Sequence, residues 1–182
     1  ICTLLLPNIS KKLSIVLLLD LMEEKVIHPR SIRPITLTLL AVFLCGLTIF
    51  CFVWNVKANY FLCDDSFICF RYAKNLLNGY GLAWNPGERV EGYTQFSWVM
   101  FMATGMLFKI SPEILSNILG IASGLIILIS LTLFMGNKLG WESLFIFLPS
   151  LLLSTNRSFT AWCTGGLESQ FFSLIMFFAV LL

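Results

Sequence analysis

The stretch that decides the fold is Ile35–Val56, ITLTLLAVFLCGLTIFCFVWNV, which runs for 22 residues without a charged side chain. A helix rises about 1.5 Å per residue, so this stretch can cross the roughly 30 Å hydrocarbon core of a bilayer. Arg30 and Arg33 precede it and only Lys57 follows it. Because basic residues favour the cytoplasmic side, the sequence predicts a first span whose N-terminal side is cytoplasmic.

The composition of the whole chain also indicates a membrane protein. Of its 182 residues, 58% are apolar and 12% are charged, with a mean hydropathy of +0.87. A soluble domain carries roughly 25% charged residues, so this chain cannot cover itself with a polar surface. Disorder, a coiled coil and a secreted disulfide scaffold are excluded. The net charge of +2 is small and scattered, so we expect a lipid bilayer as partner and no nucleic acid.

The cysteines give little sign of a metal or disulfide framework. No CxxC pair occurs, and the one histidine, His28, falls on the predicted cytoplasmic side. The six thiols belong to Cys2, Cys45, Cys51, Cys63, Cys69 and Cys163.

Further apolar runs predict an all-α, polytopic transmembrane protein. We interpret residues 1–34 as a cytoplasmic tail and residues 35–182 as a transmembrane domain with an extracytoplasmic loop at 57–93. Later spans are predicted at 94–110, 115–135 and 171–182, with a short or re-entrant helix at 144–153. If that helix is re-entrant, Ser154–Gln170 faces outward, which we favour; if it crosses, this stretch is cytoplasmic. A start at Ile and an end inside an apolar run indicate an N-terminal fragment of a longer protein.

After Lys57, the loop 57–93 carries seven charges in a chain that otherwise avoids them. Its pattern predicts a surface helix over Asp65–Asn78, stopped by Asn78-Gly79, and then a tight turn at Trp84–Gly87 in which Pro precedes Gly. Asp64 and Asp65 are the first candidates for chemistry, because paired carboxylates can take a proton from a hydroxyl or ligate a divalent cation. The alternative is that one of them caps the helix.

Four further charged residues are candidates for the same site. Arg71 lies seven residues after Asp64, on one helical face, and can hold a phosphate; the alternative is a solvated guanidinium. Glu91 precedes Gly92 at the point where the chain re-enters the membrane. A carboxylate at that position costs free energy, so we expect it to have a function or an ionic partner. Glu88 can simply pair with Arg89. Glu168 either caps a helix or reaches the site of Asp64.

Two groups of residues resemble a known family. Asp64–Leu76 (DDSFICFRYAKNL), Gly79–Leu82 (GYGL) and Trp84–Thr94 (WNPGERVEGYT) resemble the first extracytoplasmic loop of GT-C fold glycosyltransferases. The resemblance is to the bacterial branch with mycobacterial arabinofuranosyltransferases and ZomB-like proteins. Ala161–Glu168 (AWCTGGLE) resembles the second motif of that branch.

The resemblance implies a polytopic inverting transferase in the plasma (inner) membrane. Such an enzyme moves a sugar from a polyprenyl-phosphate carrier to a glycan, lipid or protein acceptor of the cell envelope. It implies either no cofactor or a divalent cation held by Asp64 and Asp65. The residues expected to be catalytic are Asp64, Asp65 and Glu91, and those expected to bind substrate are Arg71, Tyr72, Glu88, Tyr93 and Glu168.

Two other classes of protein stay open at this point. A transporter would carry ionisable residues in mid-span, whereas the charges here lie in loops. A non-catalytic membrane scaffold that keeps the GT-C frame is the stronger alternative, since a pseudoenzyme retains its fold. The intact Asp64, Asp65 and Glu91 favour an enzyme.

Overall fold

The computed structural model of the chain describes residues 34–88 and 90–181. The predicted cytoplasmic tail therefore lies outside the described residues, apart from Pro34. Arg89, the residue expected to pair with Glu88, also lies outside them. The chain divides into two units, Ile1–Leu39 and Leu40–Leu182.

All regular structure in the described residues is helical, which confirms the all-α prediction. The helices are α1 (Pro34–Ala58), α2 (Asp64–Leu77), α3 (Phe96–Leu107), α4 (Pro112–Leu139), α5 (Leu148–Thr155), α6 (Arg157–Ala161) and α7 (Ser169–Leu181), with a 3₁₀ turn at Leu144–Phe147 directly before α5.

Helices α1 and α4 are long and apolar enough to cross a membrane. They contain 25 and 28 residues, which correspond to about 37 and 42 Å. Each begins with a proline, which is favourable there because the first N–H of a helix has no intrahelical partner and proline has no N–H. Ser111 caps α4 by accepting a hydrogen bond from the Ile114 N–H. Large apolar side chains of α1 such as Val42 and Phe43 are exposed, as lipid contact requires.

Of the other apolar helices, α3 is shorter than its predicted span. Helix α3 has 12 residues, about 18 Å, where a span over 94–110 was expected. It ends early because Lys109 adopts a left-handed φ of 61° and closes a Schellman motif. In that motif the Lys109 N–H donates to Met106 O at 3.0 Å and the Ile110 N–H to Gly105 O at 3.1 Å. Crossing by α3 and α7, and the re-entrant course of the 144–155 segment, stay predictions.

Two clusters of buried side chains hold the helices together. The larger joins α2, α3 and neighbouring segments around Tyr72 and Trp98. The smaller joins α1 and α4 through Phe52, Leu128 and Cys163. Polar links add to them: the Ser150 hydroxyl lies 2.7 Å from that of Thr132 and donates to Leu128 O at 3.1 Å. These bonds fix the short 144–155 segment against α4.

Helix α4 approaches the segment around Cys163 unusually closely at two glycines. A Cβ at Gly120 would lie 2.2 Å from the Cys163 carbonyl oxygen, and one at Gly124 would lie 2.8 Å from the Cys163 Sγ. Small residues four apart let two backbones meet without side chains between them, which is a common device between apolar helices. The contact therefore depends on the absence of both Cβ atoms.

Gly120→Ala should destabilise the protein by about 1–3 kcal/mol, because the new methyl group meets a backbone atom that cannot rotate away. The matched control is Gly46→Ala on α1, where a Cβ would meet nothing within 4 Å. That change should leave the stability unchanged or raise it by up to about 1 kcal/mol. Thermal unfolding in detergent, followed by circular dichroism, measures both. Equal melting temperatures for the two variants would contradict the close approach.

Candidate functional site

Helix α2 begins at the acidic pair predicted to carry chemistry. The structure starts it at Asp64 and ends it at Leu77, one residue earlier at each end than the sequence predicted. The N-cap is Cys63, which makes no side-chain capping bond, so neither aspartate is the cap. Both carboxylates are exposed in the first turn, where the helix dipole favours negative charge. The predicted stop is confirmed, because Gly79 adopts a φ of 83°.

The segment Ala161–Glu168 lies directly against the start of this helix. The Cys63 N–H donates to Gly165 O at 3.0 Å, and the Trp98 indole N–H donates to Gly166 O at 3.0 Å. A Cβ at Gly166 would meet Leu62 and Ser66 at 2.6–2.8 Å, and its φ of 82° also favours glycine. The two stretches are about a hundred residues apart in sequence, yet the structure brings them into contact.

The contact also indicates where residues 154–170 lie relative to the loop between α1 and α3. Because Ala161–Glu168 touches the beginning of α2, it lies on the same side of the protein as the loop between α1 and α3. The outward interpretation of this stretch expects the same arrangement. Which face of a membrane this is stays a prediction.

Glu168 lies directly before α7, and its carboxylate acts on the Cys69 thiol of α2; whether it reaches Asp64 stays a prediction. Its carbonyl oxygen accepts the Phe172 N–H at 2.7 Å, at the start of α7, while its side-chain Oε2 is buried without a hydrogen-bond partner. Burial, then the Glu168 carboxylate and more weakly Asp65, raise the pKa of the Cys69 thiol to about 11. Both carboxylates therefore act on one thiol on α2.

Glu91 is positioned by the hydroxyl of Tyr72. This hydroxyl donates to Val90 O at 2.6 Å and accepts from the Gly92 N–H at 3.0 Å, so it holds the backbone on both sides of Glu91. The Tyr72 ring is buried and packs on Tyr93 with 4.7 Å between ring centroids. Burial, then the Glu91 carboxylate and Tyr72, raise the pKa of Tyr93.

Arg71 is bound to the loop that follows α2. Its Nε donates to Trp84 O at 2.9 Å, its Nη2 donates to Asn85 Oδ1 at 2.7 Å, and its guanidinium lies 4.1 Å from the centroid of the Trp84 ring. Asn85 in turn donates to Glu88 Oε2 at 3.0 Å. Sequence reasoning missed this structural role of Arg71. Phosphate binding by the remaining N–H groups stays a prediction.

The tight turn is confirmed one residue later than predicted. The Glu88 N–H donates to Asn85 O at 3.1 Å, with Pro86 at the second position and Gly87 at a φ of 92°. This is the geometry of a type II turn. Asn75, also missed by sequence reasoning, holds the chain before the turn by donating to Ala83 O at 2.7 Å and to Trp84 O at 3.0 Å.

Two groups of candidate residues lie along α2. Asp64 and Asp65 are in its first turn, whereas Tyr72 holds Glu91 two turns later, about 10 Å along the helix axis. Glu168 lies directly before α7. Among the described residues, no three His, Cys, Asp or Glu side chains are grouped so that they could hold a metal ion, so the cation considered at Asp64 and Asp65 has no third such ligand there.

No protein-family model, no curated protein and no solved structure matches the chain.

Tyr72→Phe should loosen the segment around Glu91, because it leaves Val90 O and the Gly92 N–H without their partner. Val90 and Gly92 are exposed and water can replace the hydroxyl, so the loss is about 0.5–1.5 kcal/mol, the net contribution of a typical hydrogen bond. Hydrogen exchange of the Gly92 amide should become faster in the variant. Tyr80→Phe, which removes the hydroxyl of an exposed tyrosine, is the control and should leave this amide unchanged. Equal protection of Gly92 in both variants would contradict the clamp.

The buried thiols should make the protein less stable at high pH. Burial raises the pKa of Cys69 to about 11 and that of Cys163 to about 12, above the ordinary thiol value near 9. Unfolded thiols therefore ionise first, so the free energy of unfolding should fall as pH rises from 9 towards 11–12. Chemical denaturation across this range should show a shallower fall in Cys69→Ala than in wild type. Identical pH profiles would contradict the raised pKa.

Proposed function

We propose that this chain works in a membrane glycosyltransferase of the GT-C class. The enzyme moves a sugar from a polyprenyl-phosphate carrier to an acceptor outside the cytoplasm, in a multi-pass plasma-membrane protein whose N-terminus is cytoplasmic. Two helices that are long and apolar enough to cross a membrane support the location. The acidic loop between α1 and α3 supports an active site at the membrane boundary.

One observation carries this proposal: the two stretches that resemble the family contact each other. Gly165 and Gly166 lie against the first turn of α2, and the carboxylates of Glu168 and Asp65 both raise the pKa of the Cys69 thiol on that helix. A fold that served only to pass through the membrane would not need to pack the segment before Glu168 on the helix that begins with Asp64 and Asp65. A transferase needs carboxylates there, because an acceptor hydroxyl must lose a proton and sugar hydroxyls must be bound.

The proposed reaction is a displacement at the anomeric carbon. Asp64 or Asp65 takes the proton of the acceptor hydroxyl, whose oxygen forms a bond to that carbon. The bond between the carbon and the phosphate oxygen breaks, and its electron pair leaves with the lipid phosphate. The phosphate is already ionised and leaves readily, so base catalysis at the acceptor matters more than acid catalysis. The exposed position of both aspartates leaves them accessible to an acceptor.

The other residues take supporting roles in this proposal. Glu168 has a buried carboxylate oxygen without a protein hydrogen-bond partner, which a substrate hydroxyl that enters beside it would satisfy. Arg71 shapes the loop through Trp84 and Asn85, so its loss should disturb the site through its geometry as well as its charge. Glu88 belongs to the turn rather than to the first turn of α2.

Asp64→Asn or Asp65→Asn should reduce sugar transfer by about 10²–10⁴-fold, whichever residue is the base. The assay uses the protein in liposomes with a panel of polyprenyl-phosphate sugars and a labelled acceptor extract. Glu142→Gln, which removes an exposed carboxylate from the turn after α4, is the matched control and should retain full transfer. Thermal unfolding verifies that each variant is folded.

The outcomes separate an enzyme from a scaffold. Transfer that disappears in one aspartate variant while the protein stays folded supports the proposal and identifies the base. Transfer that is undiminished in Asp64→Asn, Asp65→Asn and Glu91→Gln contradicts the proposed site. If wild type transfers no sugar from any donor while cells need the protein but tolerate all three variants, the scaffold is favoured.

A further inference from the structure

The loop between α2 and α3 encloses a cavity that none of the roles above explains. Its volume is about 490 Å³, within the range of about 300–1,000 Å³ found for small-molecule sites. Residues 80–83 form one wall, and Val90, Glu91 and Tyr93 form the other. Two other cavities, between α1, α4 and the 144–151 segment, have apolar walls, whereas this one offers a carboxylate and two tyrosines.

Both walls are fixed from one face of α2. Asn75 holds the first by donating to Ala83 O at 2.7 Å, and Tyr72 holds the second through its bonds to Val90 O and the Gly92 N–H. These two side chains are three residues apart and therefore share a helix face. The cavity is formed before any ligand arrives, so binding does not have to order the loop.

The groups on the walls suit a ring that carries hydroxyls. The Glu91 carboxylate is exposed and accepts several hydrogen bonds, and the Tyr93 hydroxyl both donates and accepts. Tyr93 packs on Tyr72 on one side while it lines the cavity, and the ring of Tyr80 is exposed at the opposite wall. The hydroxyls of a sugar can donate to the carboxylate while its C–H face packs on a tyrosine ring.

We propose that this cavity binds a neutral sugar ring, with Glu91 accepting its hydroxyl hydrogens between Tyr80 and Tyr93. If the proposed transferase function holds, on which this assignment rests, the ring belongs to the glycan acceptor. A ring bound here, two helical turns from Asp65, would place the remainder of the acceptor near the first turn of α2. A carboxylate with aromatic rings can also hold an organic cation. The Arg71 guanidinium, bound at Trp84 next to the wall, disfavours that occupant.

Sugar binding is tested without any donor, so that it does not depend on transfer. The protein in detergent is titrated with neutral methyl pentofuranosides and hexopyranosides, and saturation-transfer NMR reports contact with the ring protons. At least one glycoside should bind saturably. Glu91→Gln should weaken it at least tenfold, and Tyr93→Phe should weaken it severalfold. Glu142→Gln should bind as wild type does.

Three results would overturn this inference: no saturable binding of any glycoside, equal affinity in wild type and Glu91→Gln, or binding of tetramethylammonium that the glycosides do not displace. The failures of the two proposals are distinguishable. Sugar binding that persists in a protein without transferase activity contradicts the proposed function alone. Transfer by a protein that binds no glycoside contradicts only this cavity's role. Unchanged melting temperatures exclude misfolding as the cause of weaker binding.

Discussion

The contact of Gly165 and Gly166 with the first turn of α2 is the constraint on which the rest of this structure depends. It joins three elements at once, because Cys63 and Trp98 both donate to carbonyl oxygens of the pair while Ser66 packs against Gly166. Close packing and these hydrogen bonds hold the contact together. Any side chain at Gly166 would collide with Leu62 and Ser66 and would separate this segment from the start of α2.

A second level of organisation comes from one side of α2. Arg71, Tyr72 and Asn75 each bind backbone or side-chain oxygens of the loop that follows, so a segment without regular structure acquires a defined shape. Catalytic and binding residues are often found on loops that a rigid scaffold positions. Here the scaffold is a 14-residue helix, and the loop returns Glu91 to its side.

The sequence predicted what is local and missed what is distant. Charge-free runs located α1 and α4, and the Pro86-Gly87 pair located a turn, because helix length and turn preference are properties of neighbouring residues. The early end of α3 was missed because Lys109 occupies the left-handed position where glycine is usual, so the sequence contains no typical helix-stop residue there. The docking of Gly165 on Cys63 joins residues about a hundred positions apart, which spacing alone does not reveal. The resemblance of the two motifs suggested it only indirectly.

The turn at Asn85–Glu88 has a practical consequence for the orientation of the protein. Its tip, Pro86-Gly87, is exposed, and a Cβ at Gly87 would meet nothing within 4 Å. The chain before and after the tip is fastened separately to α2, so the tip itself bears little of the loop's stability. Exposed tips of this kind tolerate inserted residues. An antibody would bind a short epitope inserted there on intact cells if the loop is extracytoplasmic, and only after permeabilisation if the loop is cytoplasmic.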